Sequence, residues 1–111
     1  MPQIDEYLKQ VVTRNGSDLH FVAGEPPRAR VYGELEILGA ETLAAGKVDA
    51  ALTEIMSTKS REEFQRRDSA DFAYSVADVA RFRVNVFRHV AGMGGIFRAI
   101  PSQAKTLDQL R

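Results

Sequence analysis

Residues 80–101 read ARFRVNVFRHVAGMGGIFRAIP. Phe82, Val84 and Val86 alternate with Arg81, Arg83 and Asn85, which is the period of a half-buried strand. Phe97 and Arg98 fall on opposite faces of a second strand. The stretch therefore predicts a hairpin whose two strands are joined by a glycine-rich turn around Gly92–Gly95. It also places cations in mid-strand: Arg81 and Arg83 share a face, and Arg98 lies on the partner strand. Cross-strand neighbours on one face are about 4.5–5.5 Å apart, so like charges there cost free energy unless an anion offsets them.

Working outward, ADFAYSV (70–76) is a preceding strand with Phe72 and Tyr74 on one face. Upstream, SREEF (60–64) has the form of a capping box, with Ser60 as N-cap and Glu63 three residues on, starting a short helix that ends near Arg67. Val48, Ala51, Leu52, Ile55 and Met56 repeat at helical spacing after Thr42. At the N-terminus Ile4, Tyr7, Leu8, Val11 and Val12 form one helical face, Asp5 and Glu6 suit the positive end of the helix dipole, and Asn15-Gly16 stops the helix. SDLHFVAG (17–24) is a strand carrying Leu19, Phe21 and Ala23 on its apolar face; Pro26 and Pro27 break it, and ARVYGELEIL (29–38) is a hairpin turning at Tyr32-Gly33. The order is helix, three strands, two helices, three strands. Strands that arrive as hairpins make a mainly antiparallel sheet with helices on one face, an α+β fold. The expected core is Leu19, Phe21, Leu52, Ile55, Phe82, Val84, Val86 and Phe97. Leu107 and Leu110 have the spacing of a further helix beginning at Thr106, beyond a linker that opens at Pro101.

The 111 residues fit one domain large enough for a core without staples. With no cysteine there is no disulfide, thiol nucleophile or thiolate-bound metal. The 15 Lys and Arg balance 15 Asp and Glu, so no global charge draws the chain to nucleic acid or anionic lipid. No stretch reads as a signal peptide or membrane span.

Catalytic patterns are sparse. His20 and His89 have no second histidine three or four residues away, so no helical zinc pair exists, and no metal site is expected. His20 reads as a structural strand residue and His89 as exposed at a turn. Ser17, Asp18 and His20 do not make a triad, which is assembled in space by roles, whereas neighbours on one strand point to alternate faces; Ser17 and Asp18 read as caps of the turn before the strand. The glycines of GMGG (92–95) are followed by a strand and by no Gly-Lys-Ser/Thr, so they are turn residues rather than a phosphate loop. That leaves the arginines, with two readings: ion pairs with Asp68, Asp71, Asp78 or Glu34, or a two-arginine clamp whose planar forks fit phosphate oxygens.

A set of motifs bears on that choice. Ser17-Asp-Leu-His20, Gly24-x-Pro-Pro27, Arg30-x-x-Gly33, Ala80-Arg-Phe-Arg-Val-Asn85 and Phe97-Arg-x-Ile-Pro101 stand in this order. Together, over residues from about Tyr7 to Leu110, they resemble the N-terminal domain of the type IV pilus retraction ATPases, the PilT-like twitching-motility motors of the secretion ATPase superfamily. The resemblance implies a PAS-like domain over residues 1–100. Residues 101–111 would be a linker toward a RecA-like ATPase domain carrying Walker motifs that this sequence lacks. It implies no ATPase activity for the domain alone and no cofactor of its own, with ATP and Mg2+ bound by the longer motor. It further implies a cytoplasmic homo-hexamer at the inner-membrane face of the pilus machine. The domain would contact the C-terminal ATPase domains of its own and neighbouring subunits and the pilus inner-membrane machinery, with neither nucleic acid nor membrane insertion. Arg83 and Arg98 are the positions matching the family arginines that approach the γ-phosphate. The sequence departs from the family pattern at Tyr32-Gly33, where Asp-Gly or Asn-Gly is common, and at Ala91, where many members carry an arginine whose nearest substitute is Arg88. The competing expectations are a free-standing PAS-like ligand sensor, which requires an enclosed apolar cavity, and an adaptor that docks a partner on its sheet.

Overall fold

Ile4, Leu8 and Val11, spaced along one helical face, are completely buried, and the core grows from them. The computed structural model describes residues 2–100. Along them run α1 (Ile4–Thr13), β1 (Asp18–Val22), β2 (Arg28–Val31), β3 (Glu34–Ile37), α2 (Ala45–Ile55), α3 (Thr58–Arg67), β4 (Ser69–Val76), β5 (Ala80–His89) and β6 (Gly92–Ile100). This is the element order expected from the sequence. The expectations at Pro101, Thr106, Leu107 and Leu110 lie outside the described residues.

The strands form one six-stranded sheet in the order β3-β2-β1-β6-β5-β4, and every neighbouring pair is antiparallel. Four of those pairs join consecutive strands. The fifth and long-range one joins β1 to β6 in the middle of the sheet, with Leu19 opposite Phe97 and Phe21 opposite Gly95. Leu19, Phe21, Phe82, Val86 and Phe97 are fully buried on the face that the helices cover, with Leu52 of α2 above them. Ile55, expected in the core, is the last residue of α2 and is only partly buried, packed against the core. Arg81, Arg83, Asn85 and Arg98 alternate onto the opposite face and are exposed.

Local details follow residue chemistry. Asn15 takes a φ of 60° and ends α1, while Tyr32 and Gly33, at 52° and 84°, make the tight β2–β3 turn. The start of α3 differs from expectation. Its N-cap is Ser57, whose Oγ accepts from the Ser60 amide at 3.1 Å; Ser60 is the buried third residue of the helix, and Glu63 takes no part. A serine three residues before another serine offered two starting points, and the Ser60 amide's bond to Ser57 Oγ selects the earlier.

The last hairpin also corrects the reading of GMGG. His89 pairs with Gly92, so the connection is Val90-Ala91, and Gly94 and Gly95 lie inside β6. These two glycines serve packing. A Cβ on Gly94 would stand 2.6 Å from the Phe87 ring, and one on Gly95 would stand 2.9 Å from a Leu52 methyl. The sheet is thinned on both faces at this point. Of the three glycines in GMGG, Gly92, at a φ of 144°, is the one whose backbone needs glycine.

Asp5, expected only to favour the helix dipole, is 5% exposed and accepts a 2.6 Å hydrogen bond from the Tyr74 hydroxyl, fastening α1 to β4. Among the described residues, no helix is long and apolar enough to cross a membrane.

Candidate arginine site on the open sheet

The helix-free face is ordered by strand register. One row crosses the sheet as Arg30, Asp18, Arg98, Arg83 and Ala73, each directly opposite the next. The next row runs Arg28, His20, Ile96, Asn85 and Asp71. The alternation along β5 and β6 that buries Phe82, Val84 and Phe97 thus forces Arg83 and Arg98 side by side. The two arginines, with Asp71, Val84, Asn85 and Ile96, line an open groove of about 330 Å³. Arg83 is shared with a neighbouring depression of about 280 Å³ that Arg81 and Ile100 also line.

Two of the four carboxylates expected as partners are engaged elsewhere. Asp68 accepts from Arg88 Nε at 2.9 Å, and Asp71 accepts from Asn85 Nδ2 at 3.0 Å. Among the described residues, no carboxylate forms an ion pair with Arg83, and neither Asp78 nor Glu34 pairs with any arginine. Arg98 does have a partner, one that sequence reasoning assigned to a turn. Asp18 Oδ2 lies 3.5 Å from Arg98 Nε. The Asp18 side chain is 8% exposed and that of Arg98 is 73% exposed. The other carboxylate oxygen of Asp18 accepts from Ser17 Oγ at 2.5 Å. So Asp18 is the first residue of β1 with its carboxylate on the open face, not a turn cap. Ser17 is held by its backbone: its amide donates to the Arg30 carbonyl, and its carbonyl accepts from the Ala99 amide. The parity of Asp18 with His20, opposite to Leu19 and Phe21, was the available signal. What it could not supply was the pairing of β1 with a strand some eighty residues away.

Arg30 flanks Asp18 on the other side, with Nη1 donating to the Gly33 carbonyl at 3.0 Å. Arg28 pairs with Glu25 at 2.9 Å. His20, half-buried one row below, is held below the ordinary histidine value, first by burial and then by the Arg30 charge, with Asp18 acting in the opposite sense. His89, expected to be exposed, is half-buried at the end of β5. Arg88 does not belong to this site. It sits on the helix side, paired with Asp68, its guanidinium carbon 4.8 Å from the centre of the Phe64 ring. It cannot stand in for an arginine at Ala91 without giving up both contacts.

The groove contains no nucleophile held by a general base. Among the described residues, no group of three or more His, Asp or Glu could hold a metal ion. What the geometry offers is two permanently charged, exposed guanidinium forks on rigid neighbouring strands, an arrangement suited to phosphate oxygens.

No protein-family model matches the chain. Among curated proteins, it is 39% identical over 107 residues to the type IV pilus retractation ATPase PilT of Pseudomonas aeruginosa, an alignment covering 96% of this chain and 31% of that protein. It is 33% identical over 85 residues to the twitching motility protein of Neisseria gonorrhoeae, covering 77% of this chain and 23% of that protein. Among solved structures, the pilus retraction motor PilT with bound ADP superposes at a TM-score of 0.81 and 29% identity, over 88% of this chain and 29% of that one. The ATPase DotB of Legionella pneumophila shares the fold, with a TM-score of 0.78 at 24% identity over 96% of this chain and 31% of its own. The chain therefore spans 31% and 23% of the length of these two curated relatives.

Proposed function

The chain has the sequence and the fold of the N-terminal domain of the type IV pilus retraction ATPases, in the secretion ATPase superfamily, and from that premise we propose that Arg83 and Arg98 serve the terminal phosphate of ATP in such a motor. In this reading ATP and Mg2+ are held by a RecA-like ATPase domain joined to this one through residues 101–111. The arginines approach the γ-phosphate when the cleft between the domains closes. The motor is a homo-hexameric ring on the cytoplasmic face of the inner membrane, and this domain makes ring contacts with neighbouring ATPase domains.

One observation carries the reading. Arg83 and Arg98 are direct cross-strand partners, exposed on the face that no helix covers, and Arg83 has no carboxylate partner among the described residues. Two like charges at that spacing are unfavourable by themselves, so an anion between them relieves a cost already present in the fold. Phosphoryl transfer depends on positioning and charge stabilisation, and an arginine delivered to the γ-phosphate accelerates it by about 10³–10⁵. Loss of that phosphate would release the arginines and reopen the cleft, which couples hydrolysis to domain motion. The sensor alternative finds no support in a groove that is open and lined by arginines.

The test is turnover in the longer motor carrying this domain. Arg83→Ala and Arg98→Ala should each reduce kcat by about a hundredfold or more while ADP still binds. Normal turnover in both variants would refute the reading.

A further inference from the structure

The two arginines of the pair are not equivalent, and the difference lies in Asp18. We propose that Asp18 is a positioning residue for Arg98: it holds the guanidinium by its Nε edge and thereby aims the Nη fork off the sheet. The inference rests on the phosphate reading above and adds to it a residue that contacts no nucleotide.

The geometry supports this division of labour. Asp18 Oδ2 lies 3.5 Å from Nε of Arg98. A guanidinium has five N–H donors in a fixed plane, so engaging the Nε edge leaves the opposite Nη edge free for two phosphate oxygens. The carboxylate cannot wander, because its other oxygen accepts from Ser17 Oγ and the Ser17 backbone is tied to both Arg30 and Ala99. It is nearly buried, while Arg98 is mostly exposed, so the anchor is fixed and the fork is presented to solvent. Asp18 also stands between Arg30 and Arg98 in the row, where one negative charge offsets two positive ones. Arg83 lacks such an anchor among the described residues. The 3.5 Å separation is that of an ion pair rather than a close hydrogen bond, so the guanidinium is oriented without being fully consumed. The arrangement joins two of the motifs read in the sequence, the aspartate of Ser-Asp-Leu-His and the arginine of Phe-Arg-x-Ile-Pro, which the β1–β6 pairing brings together.

Two readouts test the proposal. In this chain, nitrogen-15 relaxation of the arginine Nε–Hε groups should show Arg98 more ordered than Arg83. Asp18→Asn should lower the Arg98 order to the Arg83 level while the backbone spectrum stays folded. Unchanged Arg98 order in Asp18→Asn would overturn the proposal. In the longer motor, Asp18→Asn should reduce kcat by at least about tenfold, the scale on which loss of an orienting partner acts, with KM unchanged. Combined with Arg98→Ala it should add nothing further. Multiplying effects in the double variant, or wild-type turnover in Asp18→Asn where Arg98→Ala is slow, would show that Asp18 does not act through Arg98. If Arg98→Ala itself turned over normally, the phosphate reading would fail first and take this inference with it. Asp18→Glu, which keeps the charge but changes the reach, should also loosen Arg98 and supplies the same readouts if Asp18→Asn does not fold.

Discussion

Arg83 of β5 and Arg98 of β6 stand directly opposite each other in the register of the last hairpin, and only Arg98 has a carboxylate beside it among the described residues. The two should therefore differ in what they contribute to folding. Arg83→Ala should change unfolding free energy by no more than about 0.5 kcal/mol, as for an unengaged surface residue. Arg98→Ala leaves the nearly buried Asp18 carboxylate without its nearer cation; because Arg98 is mostly solvated, the cost should be about 1 kcal/mol. Urea unfolding at neutral pH measures both. A larger loss for Arg83→Ala would mean that it has a structural partner of its own.

The Tyr74 hydroxyl and the Asp5 carboxylate, 2.6 Å apart, make a second prediction. Burial, then the hydrogen bond to Asp5, raises the Tyr74 pKa above its ordinary value of 10.0. The folded chain thus keeps a proton that the unfolded chain releases. That contribution is fully present below about pH 10 and is lost as pH rises above it, because the folded state binds more protons there. Tyr74→Phe should make stability fall less steeply above pH 10 and, by stranding Asp5, lower it at neutral pH by about 1–3 kcal/mol. Parallel pH profiles for the two proteins would contradict this.

The glycines inside β6 make a third. Gly95→Ala pushes a Cβ to within 2.9 Å of Leu52, a fully buried side chain of α2, and should cost about 1–3 kcal/mol by overpacking. Gly94→Ala meets the Phe87 ring, which is half-buried on the open face and can swing outward. Its cost should be the smaller of the two in thermal melts. The reverse ranking would mean that Phe87 is fixed and α2 is mobile.

Much of this was legible in the residues. The 3.6 and 2.0 periods marked most elements and their order, because those helices and strands bury one stripe; β3, exposed at all four residues, followed instead from the turn at Tyr32-Gly33. The arginines were legible for the same reason, since the alternation that buries Phe82 and Phe97 exposes Arg83 and Arg98. What was hidden depended on contacts distant in sequence. Gly94 and Gly95 look like a turn until Phe87 and Leu52 are seen above and below them. Asp18 looks like a cap until β1 is paired with β6. Asp5 looks like a dipole residue until Tyr74 reaches it from β4. Ser57 and Ser60 both fit an N-cap by residue type, and the bond from the Ser60 amide to Ser57 Oγ separates them.

By itself this chain should release no phosphate from ATP above a buffer control, since it carries no Gly-Lys-Ser/Thr loop. Nor should it form a stable ring at micromolar concentration if ring contacts need an ATPase domain. Phosphate release lost on mutating a residue of this chain, or a hexamer in sedimentation, would contradict these expectations.

The central claim is that Arg83 and Arg98 read the terminal phosphate, and the most direct measurement compares nucleotides that differ only there. Calorimetric titration of the longer motor with ADP and with a non-hydrolysable ATP analogue should give unchanged ADP affinity in Arg83→Ala and Arg98→Ala. Affinity for the analogue should fall by about 10–100-fold in each, the scale of a hydrogen bond to a charged group. Equal weakening of both nucleotides, or no change in either, would contradict the account.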